Sequence, residues 1–227
     1  MDTNQYLPFA IIGIVVLLAL GAVAFAKAQA RKRTAALRLV AQELGLTFIE
    51  NATSTPKDFQ TELALFNRGR SRRTTNLMIG KWAGLQVRVF DYSFVTGGGK
   101  SSHTWKQTVA AYATNLAFPL FEMRPEGLLD RIGDAFTHKD IDFDSHPDFS
   151  RRYLLRGNDP EKIRGLFSPA LLTFCEELPQ DAKWHIEGCG ETIIFYRLDN
   201  TVGPQLLKDF LDQTARFAKS FANCAGA

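Results

Sequence analysis

The sequence predicts an α+β fold: an N-terminal transmembrane helix, then a mainly antiparallel sheet with covering helices, the last of them a C-terminal amphipathic helix. Three observations predict it. Twenty consecutive residues without a charge stand near the N-terminus. Two β-patterned stretches flank a cluster of glycines, and apolar residues at three- and four-residue spacing close the chain.

Residues 7–26 (LPFAIIGIVVLLALGAVAFA) form the uncharged run, and a helix of that length spans about 30 Å, the thickness of a bilayer core. A cleaved secretory signal is the competing reading, since AFAKAQA offers small residues at a cleavage-like spacing. Two features oppose it. The leading MDTNQY carries Asp2 and no Lys or Arg, and the run exceeds the usual apolar region of about 7 to 15 residues. Lys27, Arg31, Lys32 and Arg33 follow as a basic membrane flank, with no basic residue before the span. The positive-inside rule then puts the N-terminus outside and the C-terminal domain in the cytoplasm. The expected division is residues 1–30 as anchor and basic flank and 31–227 as one α+β domain, or two halves meeting near residue 137.

Composition bounds the chain beyond the anchor. Eighteen Phe, with 11% aromatic and 22% charged residues, exclude general disorder. A net charge of +3 is too mild to argue for a nucleic-acid partner, which is not expected. Cys175, Cys189 and Cys224 form no CxxC pair and read as buried small hydrophobes in a reducing compartment.

After the span, RKRTAALRLVAQEL puts Leu37, Val40, Ala41 and Leu44 on one helical face, with Gly45 as the residue that ends it. NATSTPKD reads as a loop, and NRGRSRRTTN as a solvated turn or hairpin whose Arg68, Arg70, Arg72 and Arg73 are candidate partner contacts. No aromatic residue interleaves with that charge, as a nucleic-acid face would require. VRVFDYSFV changes parity at Phe90, which predicts a long strand with a bulge or twist, and TWKQTVAAY continues as a strand beyond the glycines. GGGKSS between them is no phosphate loop. That motif would need Gly where Phe94 stands, and a helix where TWKQTVAAY follows. A hairpin tip explains it, with Lys100 a further candidate contact. FPLFEMR predicts an edge strand, PEGLLDRIGDAF a helix opened by Pro125, and KWHIEGCGETIIFYRLD a hairpin turning at GCGE. Asp159-Pro160 and Ser168-Pro169 each pair an N-cap residue with proline at N1, predicting two short helices, and PQLLKDFLDQTARFAKSFA predicts the C-terminal one.

The segment DIDFDSHPD carries the most chemistry. In an extended strand Asp140, Asp142 and Asp144 would share one face with His146 just beyond, a row that could bind a hard cation or supply an acid and a base. The EF-hand template fails, because its Gly and Glu positions hold Ser145 and Arg151. A strand with a solvated acidic face, paired with arginines, is the alternative. His185 and Cys189 lack a second ligand pair at zinc spacing, and no G-x-S-x-G accompanies the histidines.

The single span, basic flank, LALFNRGRSRRTTNLMIG, VFDYSF, FEMRPE and DIDFDSHPDFSRRYLLRG together resemble an uncharacterised family of bacterial single-pass membrane-anchored proteins with no assigned activity. The resemblance implies a bacterial inner membrane and carries over no catalytic residue. The expected function is therefore a non-enzymatic binding or scaffold domain at the cytoplasmic face, with the lipid bilayer and a protein as partners and no cofactor. The alternative is a metal-assisted hydrolase or transferase using Asp140, Asp142, Asp144 and His146.

Overall fold

Leu7–Glu43 forms one continuous 37-residue helix, α1, about 55 Å long at 1.5 Å per residue. The computed structural model describes residues 7–50, 62–127, 140–179 and 181–224. The two halves of α1 differ in environment. Ile12, Leu17, Leu18 and Phe25 in its N-terminal half are 61% to 69% exposed, whereas Leu37 and Ala41 are buried and Val40 and Leu44 pack beside them. By length and composition this is the one helix among the described residues able to cross a membrane. Gly45 ends it at φ 70°. Leu46 N–H donates to Ala41 O at 2.8 Å and Gly45 N–H to Gln42 O at 3.2 Å, the paired bonds of a Schellman cap.

A six-stranded antiparallel sheet follows. Its strands are β1 (Thr47–Ile49), β2 (Arg70–Trp82), β3 (Leu85–Thr96), β4 (His103–Pro125), β5 (Tyr153–Gly157) and β6 (Trp184–Arg197). β1 pairs with β2, β2 with β3, and β3 with residues 103–113 of β4. β5 takes residues 121–125 of β4 and β6 takes positions between 109 and 123. Since β6 shares partners with both β3 and β5, it occupies the opposite edge of β4, and β3 and β5 follow one another along the other. Between strands lie the short helices α2 (Ala64–Asn67), α3 (Pro147–Arg152), α4 (Pro160–Leu166) and α5 (Pro169–Glu176), and α6 (Leu207–Cys224) comes last.

Each sheet face has its own core. The docked half of α1 and helices α3 to α6 cover one, around Val87, Val89, Tyr112, Phe121 and Phe195. Phe121, Phe167 and Phe221 meet there with ring centroids 5.5 to 5.9 Å apart, in the range where aromatic pairs attract. Leu63, Leu65 and Phe66 lie on the other face against Phe90, Tyr92, Phe94, Trp105 and Tyr196.

The glycine-tipped hairpin is present: β3 and β4 pair from Gln86↔Ala113 to Thr96↔His103 without a register break. The tip turns at Gly97 and Gly99, both at positive φ. The caps at Asp159 and Ser168 also form, each side chain accepting from the backbone N–H three residues on.

Other local expectations are corrected. β3 runs without the expected bulge; the irregularities lie in β2, between Arg70 and Arg73 and between Thr75 and Met78. Phe90 and its successors alternate regularly against a second core, so parity changes in type of face, not in register. FPLFEMR is the far half of β4, and Pro119 sits where the β4–β6 register breaks. Trp184–Arg197 (WHIEGCGETIIFYR) is one strand, not a hairpin. A Cβ on Gly188 would clash with the Phe121 ring, and Gly190 has φ 55° at the register break, so these glycines serve close packing and a bulge. Pro125 closes β4 opposite Tyr153. Glu126 and Gly127 form a turn, and the remainder of the expected helix, from residue 128, and the boundary near 137 lie outside the described residues.

Candidate functional site

Arg33 fixes the anchor to the domain. Its Nε donates to Asp91 Oδ2 at 2.8 Å, its Nη2 to Asp91 Oδ1 at 2.7 Å, and its Nη1 to Val202 O at 2.9 Å. Asp91 also accepts from Asn76 Nδ2 at 2.8 Å and Thr108 Oγ1 at 2.9 Å, while Thr34 Oγ1 donates to Asn76 Oδ1 at 2.8 Å. Bidentate pairing in a partly buried setting is the strong form of such a bond. Arg33 was expected in the membrane flank beside Lys27, Arg31 and Lys32. Those three are exposed on α1, but Arg33 is turned inward and ties α1 to β3, β4 and the chain before α6.

The four arginines of β2 and its approach also divide. Arg70, Arg72 and Arg73 are exposed. Arg70 bonds Gly97 O across the hairpin, and Arg72 wraps onto the carbonyls of Asn67 and Gly69 at 2.6 and 3.1 Å. Arg70 pairs with Val95 and Arg73 with Ser93, so this basic start of β2 lies beside the turn holding Lys100. Arg68 is not a surface contact. It is buried and ion-paired with buried Glu122, because Gly69 turns the chain at φ 58° and sends the side chain inward.

Around Arg68 the second sheet face holds a buried polar cluster that sequence spacing did not reveal. Glu122 and Arg124 come from β4, His185, Glu187 and Tyr196 from β6, and all are buried. Tyr196 Oη donates to Glu187 Oε1 at 2.6 Å, and Leu65 N–H donates to the same carboxylate at 3.0 Å. The His185 ring stacks on Tyr196 at 4.8 Å between centroids. Burial, then the charge of Glu122, pushes the Glu187 carboxyl up to about 7, against the pull of Arg68. Burial and the charges of Arg68 and Arg124 hold His185 neutral, well below the usual histidine range. The alternation of β6 through HIEGC could have placed His185 and Glu187 on one face, had GCGE not read as a turn.

The acidic segment is a loop leading into α3, not a strand. Asp140 Oδ1 accepts the N–H of Ile141 and of Leu155, both at 2.9 Å, and burial raises its pKa. Such local side-chain bonds compete with a strand ladder. Asp142 and Asp144 are exposed, and Asp142 meets Arg164 through its backbone carbonyl. His146 Nδ1 faces Glu176 Oε2 at 3.1 Å, while Glu176 Oε1 accepts from Phe149 N–H at 3.0 Å. Among the described residues no three His, Cys, Asp or Glu side chains converge as metal ligands. Cys175 and Cys189 are buried thiols, pushed up to about 12 and about 11, in both cases chiefly by burial, and Cys189 Sγ donates to Glu62 Oε2 at 3.3 Å. A cleft of about 400 Å³ opens beside α6, where the Arg197 guanidinium sits 4.4 Å from the Trp184 ring centre.

No family model matches this chain, and no curated protein matches it. Among solved structures its fold is shared. A similar structure is the crystal structure of the mycobacterial trehalose monomycolate transport factor A, TtfA, with a TM-score of 0.61. Identity is 12%, over 86% of this chain and 96% of that one. TtfA thus matches the arrangement of elements across nearly its whole length, and at this identity the likeness is one of fold. The expected family is not shown by these comparisons; what stands is a distant neighbour of the same architecture.

Proposed function

We propose that this chain is a membrane-anchored binding or scaffold module, without catalysis of its own, that holds its α+β domain at the cytoplasmic face of a bacterial membrane for a protein partner. The observation that carries the reading is the single helix α1, bare and apolar at one end and bonded into the sheet through Arg33 at the other. A large exposed apolar surface needs an apolar medium, and a docked helix transmits the position of that medium to the domain. The basic flank of Lys27, Arg31 and Lys32 supports the cytoplasmic side. The fold shared with a transport factor supports an accessory role with a protein partner. The acidic segment supports no enzymatic alternative, because Asp140 and His146 are engaged in holding the loop and α3.

Fractionation of cells making the full chain or a chain lacking residues 7–26 tests the anchor. The full chain should resist extraction by salt and alkali, and the shortened chain should be released. Protease added to spheroplasts tests the side: a protected domain supports the reading, and a cleaved one refutes the orientation.

A further inference from the structure

We infer that the end of the sheet carrying Arg70, Arg73 and the Gly97–Ser102 turn is the membrane-facing end of the domain and rests on anionic phospholipid headgroups. This rests on the anchored reading and adds a defined contact to it.

The direction of α1 carries the inference. Toward its N-terminus, its connections to β2 step from Gly80, against Leu46, to Asn76, bonded to Thr34. Arg73 and Arg70 come next along β2, and β3 runs beside them from Asp91, under Arg33, to Val95 and the hairpin tip. The helix therefore leaves the sheet toward that end. From Arg33 back to Ala26, where the uncharged run ends, is seven residues of helix, about 10 Å. From Asp91 to Thr96 is five residues of strand, about 17 Å. Allowing for an oblique crossing, the tip reaches the level at which α1 enters the bilayer.

The chemistry of that end suits a headgroup layer. Arg70, Arg73 and Lys106 are exposed there, with Lys27, Arg31 and Lys32 on the emerging helix. Asp199, an acid at that end, is engaged with His103 and with Lys106 N–H. The turn contains only Gly, Ser and Lys, so no apolar side chain of it has to enter water or lipid. Each basic residue near an anionic surface favours contact and loses it as salt rises.

The full chain in nanodiscs of phosphatidylcholine, with or without phosphatidylglycerol, tests this. In a Cys224→Ser background, a fluorophore is placed at Ser101→Cys or, at the far end of the same hairpin, at Gln86→Cys. A headgroup-spin-labelled lipid serves as quencher. The label at 101 should be quenched, more strongly with phosphatidylglycerol, and the label at 86 should not. Arg70→Gln with Arg73→Gln should lower the ratio of seated to lifted tips by about thirtyfold, whereas Arg216→Gln should leave it unchanged. Equal or stronger quenching at 86, or quenching at 101 indifferent to lipid charge and to both arginines, overturns the inference. A chain that co-elutes with discs but stays unquenched at 101 overturns this inference alone, leaving the basic end to a protein. A chain that fails to co-elute overturns the anchored reading with it.

Discussion

Glu187 and Glu122 lie in one buried cluster yet do different work. Glu122 neutralises Arg68, and both are almost fully enclosed. Removing one partner of such a pair leaves an uncompensated charge, so Glu122→Ala should cost about 3 to 5 kcal/mol in chemical denaturation. Exposed Arg73→Ala should stay within about 0.5 kcal/mol of the parent. Glu187 holds the N–H of Leu65, tying α2 to the sheet. Its folded pKa, about 7, lies above the ordinary 4.5, so the native state binds the extra proton between these values. The contribution of Glu187 is therefore complete below pH 4.5 and is lost as pH rises through 7. His185 runs the other way, its contribution lost as pH falls below 6.5. The two partly cancel in the parent. The difference in unfolding free energy between parent and Glu187→Gln should isolate the first, falling as pH is raised from about 4.5 to 7. A difference independent of pH would contradict the assigned proton.

At the scale of elements, α1 combines two jobs that most helices keep apart. Its N-terminal half is apolar and exposed, and its other half is held by Leu37, Ala41 and the Arg33–Asp91 bond. Arg33→Ala should destabilise the domain by about 2 kcal/mol, the scale of charge-assisted hydrogen bonds. It should also raise amide exchange in β3 around Asp91, while membrane retention is unchanged. Loss of retention would mean that the flank, not the span, holds the chain. Much of this element was legible, because a run without charge and a 3.6-residue stripe depend only on local pattern. The hairpin around GGGKSS was legible for the same reason. What escaped were features set by distant partners. GCGE reads locally as a turn, and only the ring of Phe121 explains why Gly188 belongs in a strand. DIDFD reads as an alternating strand, and only Leu155 on β5 explains why Asp140 folds back onto backbone instead. Arg68 stood among four similar arginines, and its burial depends on Glu122, which is 54 residues away.

For the whole molecule, the proposed reading gives the sheet, its two cores and the emerging helix a fixed stance relative to the bilayer. β4 is the spine of that arrangement, bonded to β3, β5 and β6. A fixed stance is what a scaffold near a membrane requires, since it turns partner capture into an event between neighbours and raises the effective concentration of the two surfaces. The same architecture recurs in TtfA at 12% identity, so the fold tolerates wide change in sequence. The central claim, that anchoring serves partner capture, is tested most directly by crosslinking in intact membranes with a photoreactive group on the exposed face of the domain, read by mass spectrometry. The full chain should give a discrete protein adduct, and a chain lacking residues 7–26, produced at the same level, should lose it. An adduct that persists undiminished without the span would contradict the account.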